Sequence, residues 1–113
     1  MRLVIFGTAG AREMIQVITL FFNGAANSAA MRVYRNAVEP LLLRHGALQI
    51  SRALVRNPRP GDADEIHTVN FPELSHLGTL QQDPDYMALA EQRETAMHGA
   101  VTYVAEDYIT YLD

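Results

Sequence analysis

The stretch Ile15-Gln-Val-Ile-Thr-Leu-Phe-Phe22 constrains this chain more than any other. Successive side chains of a strand point to opposite faces. One face therefore carries Ile15, Val17, Thr19 and Phe21, and the other carries Gln16, Ile18, Leu20 and Phe22. Both sets are largely apolar, so the strand predicted here needs cover on both sides. Asn23-Gly24 ends it. The fold must supply one cover from its own helices and find a second elsewhere.

The remaining elements follow in a readable order. Asn27 or Ser28 is placed to cap a helix that runs to about Arg44. Met31, Tyr34, Val38, Leu41, Leu42 and His45 share one face of that helix, while Arg32, Asn36 and Glu39 lie outside it. Pro40 sits inside and removes one backbone hydrogen bond, which predicts a kink. Gly46 supplies a left-handed stop. Leu48–Arg56 reads as a second strand. The stretch 57–64, Asn-Pro-Arg-Pro-Gly-Asp-Ala-Asp, reads as a hairpin loop, and Glu65–Phe71 as a third strand ended by Pro72. A second helical region is expected in two pieces. Leu74, Leu77 and Leu80 mark the first, and Asp83-Pro84 opens the second, which runs to His98 before Gly99 stops it. Ala100–Ala105 reads as a fourth strand, followed by a tyrosine-rich tail.

The order β-α-β-β-α-β is that of the α+β ferredoxin-like fold, with two helices on one face of a four-stranded antiparallel sheet. The helices cover only one face. The simplest cover for the other is the same face of a second copy about a two-fold axis, so a homodimer is expected. Residues 14–113 read as a single domain. Residues 1–13 read either as an extension upstream of Met14 or as an extra edge strand, Met1–Phe6, with Gly7–Ala11 as its turn. The same stretch, Val4-Ile-Phe-Gly-Thr-Ala-Gly10, imitates the opening of a dinucleotide-binding fold. It lacks the third glycine, and a strand follows where the helix should open, which argues against that reading.

Residues 34–98 carry a resemblance. Tyr34, Glu39-Pro-Leu-Leu42, Arg44-His-Gly46, Phe71-Pro72 and Asp83-Pro-Asp-Tyr86 with Leu89 and Arg93 resemble a bacterial family of dimeric α+β barrels known as domain of unknown function thirteen-thirty. The likeness extends over about residues 15–105 by element order. Ala47 stands where the family tends to a second glycine, and Glu73 where it tends to serine after Phe-Pro. The wider superfamily includes monooxygenases of antibiotic biosynthesis that need neither metal nor flavin. It also includes chlorite-dismutase-like haem proteins and non-catalytic ligand-binding modules, so the resemblance implies a fold without choosing a reaction.

Composition narrows the chemistry. All nine basic residues are arginine, and cysteine is absent. Without lysine there is no Schiff-base nucleophile and no phosphate-loop lysine. Without cysteine there is no thiol nucleophile and no thiolate metal site. His76 and His98 follow no metal-ligand spacing, so no metal is expected, and with no axial-ligand context neither is haem or another cofactor. The net charge of −4 comes without a basic cluster, which argues against nucleic acid or an anionic membrane as partner. No apolar run reaches the length of a membrane span, and Leu3–Phe6 is too short for a signal-peptide core, so the expected location is cytoplasmic.

Arg93 is the most informative single residue. On a helical wheel it falls beside Tyr86, Leu89, Ala90 and Met97, in the middle of an apolar stripe. A guanidinium there needs a counter-charge. Three readings stand: an internal ion pair with Glu65, Glu106 or Asp107, snorkelling of the head to an edge, or a fork for the carboxylate or enolate of a ligand. His67 and Glu65, two apart on the third strand, share a face and can orient an imidazole for proton transfer, or can simply form a structural hydrogen bond. His45 reads as a helix C-terminal cap. Tyr34 and Tyr86 lie on the inner faces of the two helical regions, and Asn70 offers a donor to a ligand oxygen. Three functions fit: a homodimer that binds a small, mostly apolar and acidic molecule between helices and sheet; a cofactor-independent enzyme of monooxygenase or isomerase type, with His67 and Glu65 as its catalytic candidates; and a structural or regulatory dimer without catalysis. Arg93, Tyr86, Tyr34 and Asn70 are the candidate ligand contacts.

Overall fold

A computed structural model describes residues 2–5, 14–22, 29–96, 99–106 and 109–112. The strand β1 spans Arg2–Ile5, and the stretch that is apolar on both faces forms β2, Ile15–Phe22. Then come α1 (Ala29–Arg44), β3 (Gln49–Leu54) and β4 (Glu65–Phe71). Three short helices follow, α2 (Leu74–Gln82), α3 (Pro84–Met87) and α4 (Ala90–Ala96), before β5 (Gly99–Ala105) and β6 (Ile109–Leu112). The main sheet is antiparallel, in the order β3-β4-β2-β5, so the doubly apolar β2 lies between two neighbours. This is the ferredoxin-like α+β fold. Among the described residues β1 and β6 pair only with each other, as a separate antiparallel ribbon.

Register assigns the two faces. Val17 pairs with Val69 and Val104, Thr19 with His67 and Thr102, and Phe21 with Glu65. These inward rows meet Met31, Tyr34, Val38 and Leu41 of α1, the stripe that the helical period predicts, and all four are buried. Phe71, Ile15, Met31 and Leu80 are the largest apolar side chains sealed completely in the core. The α1 helix runs through Pro40 unbroken. Its predicted cap, Asn27 or Ser28, lies outside the described residues, as does His98.

The second helical region departs from expectation. It has three pieces rather than two, because α3 stops after one turn at Met87 and α4 begins again at Ala90. Asp83 behaves as expected: its carboxylate accepts from the Asp85 amide at 2.9 Å, with Pro84 at the first turn. Gly99 proves to be the first residue of β5 rather than a helix stop. The tyrosine-rich tail contains β6.

The end of α1 is a Schellman motif. The Ala47 amide donates to Leu42 at 3.0 Å and the Gly46 amide to Leu43 at 3.1 Å, with Gly46 at φ 89°. Glycine is required there twice over, since a Cβ would stand 2.7 Å from His76 Nδ1. Gly61 has the same handedness, φ 91°, but open space around it. Gly61→Ala should therefore cost about 1 kcal/mol of backbone strain. Gly46→Ala should cost more, about 2–3 kcal/mol, because it also displaces His76. Paired urea unfolding curves measure the difference, and equal losses would remove His76 from the account.

Candidate functional site

The alternation of β4 aims Glu65, His67, Val69 and Phe71 inward. Glu65 is completely buried. Arg35 Nη1 from α1 donates to both its oxygens, at 3.0 and 3.2 Å, and Arg52 Nε from β3 reaches the carboxylate at 3.2 Å. His67 Nε2 completes the cluster with a hydrogen bond to Glu65 Oε2. A carboxylate facing this many donors accepts from each of them, so Nε2 carries the imidazole proton and Nδ1 keeps the lone pair. Burial pushes the His67 pKa below its ordinary value. The Glu65 hydrogen bond and charge oppose this shift, and the nearby Arg35 and Arg52 charges add to it. The imidazole is thus neutral at neutral pH, with a basic nitrogen available.

His67 also forms part of a cavity wall. A space of about 220 Å³ lies between α1, the short helices α2 and α3, and the sheet. Thr19, Phe21 and Thr102 of the sheet border it, as do Tyr34 and Leu42 of α1, and Leu80 and Tyr86 from the other side. Phe21 meets both functional rings edge-on, His67 at 4.5 Å and Tyr34 at 6.4 Å between centroids. A second, smaller cleft of about 140 Å³ adjoins His67 from the side of Arg35, Glu39 and Arg52.

Arg93 stands behind this wall instead of within it. Its Nε donates to the Tyr34 hydroxyl at 3.1 Å. Its guanidinium carbon lies 5.6 Å from the Tyr34 ring centre and 5.0 Å from that of Tyr86. Among the described residues no carboxylate pairs with it, and Nη2 is buried without a hydrogen-bond partner. Glu65, one of its expected partners, is engaged by Arg35, Arg52 and His67. Asp107 lies outside the described residues. Burial pushes the Tyr34 pKa above its ordinary value, and the Arg93 hydrogen bond works against that. The phenol keeps its proton at neutral pH, and because its oxygen already accepts from Arg93, that proton is free to be donated.

Asn70 is not part of this constellation. It pairs across the sheet with Gln16 and Gln49, on the face away from the helices, and its Nδ2 donates to Gln49 Oε1 at 3.3 Å. Its place beside Thr68 follows the strand period, yet that side of the strand turns away from the cavity. His45 also departs from its expected role. Its ring bonds Asp83 Oδ2 at 2.7 Å and Thr79 at 3.2 Å, and it is His76 Nδ1 that donates to the His45 carbonyl at 2.9 Å. The His45 hydrogen bond, followed by the Asp85 amide, holds the Asp83 carboxyl below the usual range. Arg44 adds ion pairs to Asp83 and Asp85 at 3.2 and 2.9 Å, so the end of α1 is tied to the start of α3.

The structure brings Tyr34, Tyr86 and His67 to one cavity, with Arg93 and Glu65 each one layer behind. Sequence reasoning missed Arg35 and Arg52. The available signal was the need of an inward Glu65 for a cation, together with the period of β3, which puts Arg52 on the same face as Ile50. Among the described residues no three histidine or carboxylate side chains cluster as a metal site, and no helix is long and apolar enough to cross a membrane.

Solved structures with the same fold are distant in sequence. A dimeric ferredoxin-like protein of unknown function from Thermobifida fusca shares 14% identity, with a TM-score of 0.65 over 83% of this chain and 91% of its own. A second dimeric protein of unknown function with a ferredoxin-like fold, from Bacteroides fragilis, shares 17%, with a TM-score of 0.63 over 82% and 95%. Hydroxynitrile lyase from Passiflora edulis shares 12%, with a TM-score of 0.69 over 88% and 95%. No curated protein sequence matches the chain. The sequence profile described as "Domain of unknown function (DUF1330)" matches residues 22–107, most of the chain and every element of the main sheet beyond the body of β2, and the protein belongs to that family.

Proposed function

We propose that this protein works as a homodimer that holds a small, mostly apolar molecule bearing an oxygen or acidic group in the cavity between helices and sheet. The observation that carries this reading is the Tyr34–Arg93 pair. A buried phenol whose oxygen accepts from an arginine offers its own proton to a space lined mainly by apolar side chains, with His67, Thr19 and Thr102 among them, an arrangement suited to a ligand oxygen. Size supports the class: an apolar cavity of about 150 Å³ accommodates benzene, so this one suits a single ring with a small substituent.

The second face of the sheet supports association with another copy. Ile18, Leu20 and Phe22 of β2 sit there beside Ile66, with Val101 and Tyr103 of β5 exposed at 41% and 58%. No described helix covers these residues. An apolar sheet face of this kind fits a two-fold partner. The two neighbours from Thermobifida and Bacteroides are themselves dimeric.

Titration calorimetry and thermal melting with benzoate, phenylacetate and substituted phenols test the binding reading. A ligand at about 100 times its Kd should stabilise the fold by about 2.7 kcal/mol. Arg93→Leu should weaken binding of that ligand at least tenfold while costing the free protein about 1.5–3 kcal/mol, the size of one charged hydrogen bond. A loss of about 3–5 kcal/mol without any ligand effect would instead reveal a buried carboxylate partner for Arg93 and would remove the main support for binding.

A further inference from the structure

We propose that the cavity is a proton-transfer site for small enolisable carbonyl compounds, with His67 as the base and Tyr34 as the donor to the developing oxyanion. This rests on the cavity being the binding site. Two independent halves of the chemistry meet there. On the sheet side, the Glu65 carboxylate fixes the Nε2–H tautomer of His67, and Arg35 and Arg52 fix Glu65 in turn. A base that is oriented by a buried carboxylate and neutral at working pH meets the two requirements of general-base catalysis, geometry and protonation state. On the helix side, Tyr34 accepts from Arg93 and keeps a proton to donate. The two halves are joined through Phe21, which packs against both rings.

The step balances without a co-reactant. His67 Nδ1 takes a proton from the carbon next to a carbonyl, and the C–H electron pair moves into the carbon–carbon bond as the carbonyl π pair moves to oxygen. The enolate oxygen receives a hydrogen bond from the Tyr34 hydroxyl, where a preorganised donor is worth most. The imidazolium then returns its proton to the same carbon or to a conjugated one, giving the starting compound or its isomer. Glu65 and Arg93 are positioning residues in this scheme. The charged groups that bear on His67 are Glu65 on its own strand, Arg52 on β3 and Arg35 on α1, with Glu39 sharing the smaller cleft.

Proton–deuterium exchange in D₂O, followed by NMR on phenylacetone, phenylpyruvate and an enolisable cyclic ketone, tests the proposal, with binding of each measured in parallel by thermal melting. The wild-type protein should exchange the acidic C–H of at least one compound well above free imidazole at equal concentration. The rate should rise with pH and level off below about pH 7, because the His67 pKa lies under its ordinary value of about 6.5. His67→Gln should lower the rate by at least about 100-fold, and Tyr34→Phe by a similar factor, with both variants still melting cooperatively and binding the compound. In His67→Ala, added imidazole should restore part of the rate. Binding without exchange by the wild-type protein would overturn the proton-transfer proposal and leave the binding reading standing. Absence of both would overturn the two together.

Discussion

Replacing Glu65 by alanine is expected to cost about 3–5 kcal/mol, a large share of the about 5–15 kcal/mol that holds a typical domain together. The carboxylate is sealed from water, accepts hydrogen bonds from the Arg35 guanidinium and the His67 imidazole, and is ion-paired with Arg52. Removing it takes from Arg35, whose side chain is only 17% exposed, the carboxylate it donates to, and opens a void beneath the sheet. The cost comes from the lost counter-charge, not from any great intrinsic strength of the pair. Glu65→Leu combined with Arg35→Met should therefore recover much of the loss, since apolar groups of similar volume often replace a buried pair without penalty. Arg52→Ala should cost less than about 1 kcal/mol, because its side chain is 36% exposed and Arg35 and His67 still hold the carboxylate. Urea unfolding of these variants measures the series. A loss under 1 kcal/mol for Glu65→Ala would show that the cluster does not organise this side of the core.

The second large effect concerns the outer face of the sheet. Leu20 lies at its centre, opposite Ile66 on one side and Val101 on the other. In the proposed homodimer, Leu20→Arg would bury an unpaired guanidinium against its own two-fold copy. Such burial costs several kcal/mol, and each 1.4 kcal/mol is a tenfold change in Kd, so association should weaken by about 10³-fold or more. Light scattering at micromolar concentration should then give a mass near 12.6 kDa, against twice that for the wild-type chain. The cavity lies on the opposite face, so ligand binding by the separated chain would show whether one copy suffices. A wild-type mass of a single chain, or an unchanged mass for Leu20→Arg, would sink the homodimer.

The fold was legible because its strongest signals are periodic. The β2 and β4 boundaries follow directly from runs of β-branched and aromatic residues closed by Asn23-Gly24 and Pro72. The α1 stripe from Met31 to Leu41 follows from helical spacing. The break between α3 and α4 escaped because Tyr86, Leu89 and Arg93 fit a continuous wheel, and nothing like a proline or glycine at Ala88 announces the interruption. Arg93 nevertheless turns inward, held by the Tyr34 hydroxyl and by the Tyr34 and Tyr86 rings. Its partner could not be read, since the residues that meet it are distant in the chain: Tyr34 and Arg93 lie 59 positions apart. The same limit hid Arg35. It borders the apolar stripe of α1 and looks like a solvated flank until β4 places a buried carboxylate opposite it. Asn70 shows the converse failure, where the strand period was right but only tertiary structure reveals which face the cavity takes.

Arg52 has a second consequence, for how the protein behaves in a crowded solution. It lies on β3, an edge of the main sheet, where the outer backbone groups of a strand invite another strand to pair. Its side chain bends inward to Glu65. An inward charge on an edge strand is tolerable only while its internal counter-charge stays in place, and a chain adding alongside β3 would bring a new, apolar neighbour against that guanidinium. The arginine that steadies Glu65 for the imidazole therefore also makes one side of the sheet a poor template for growth into fibres.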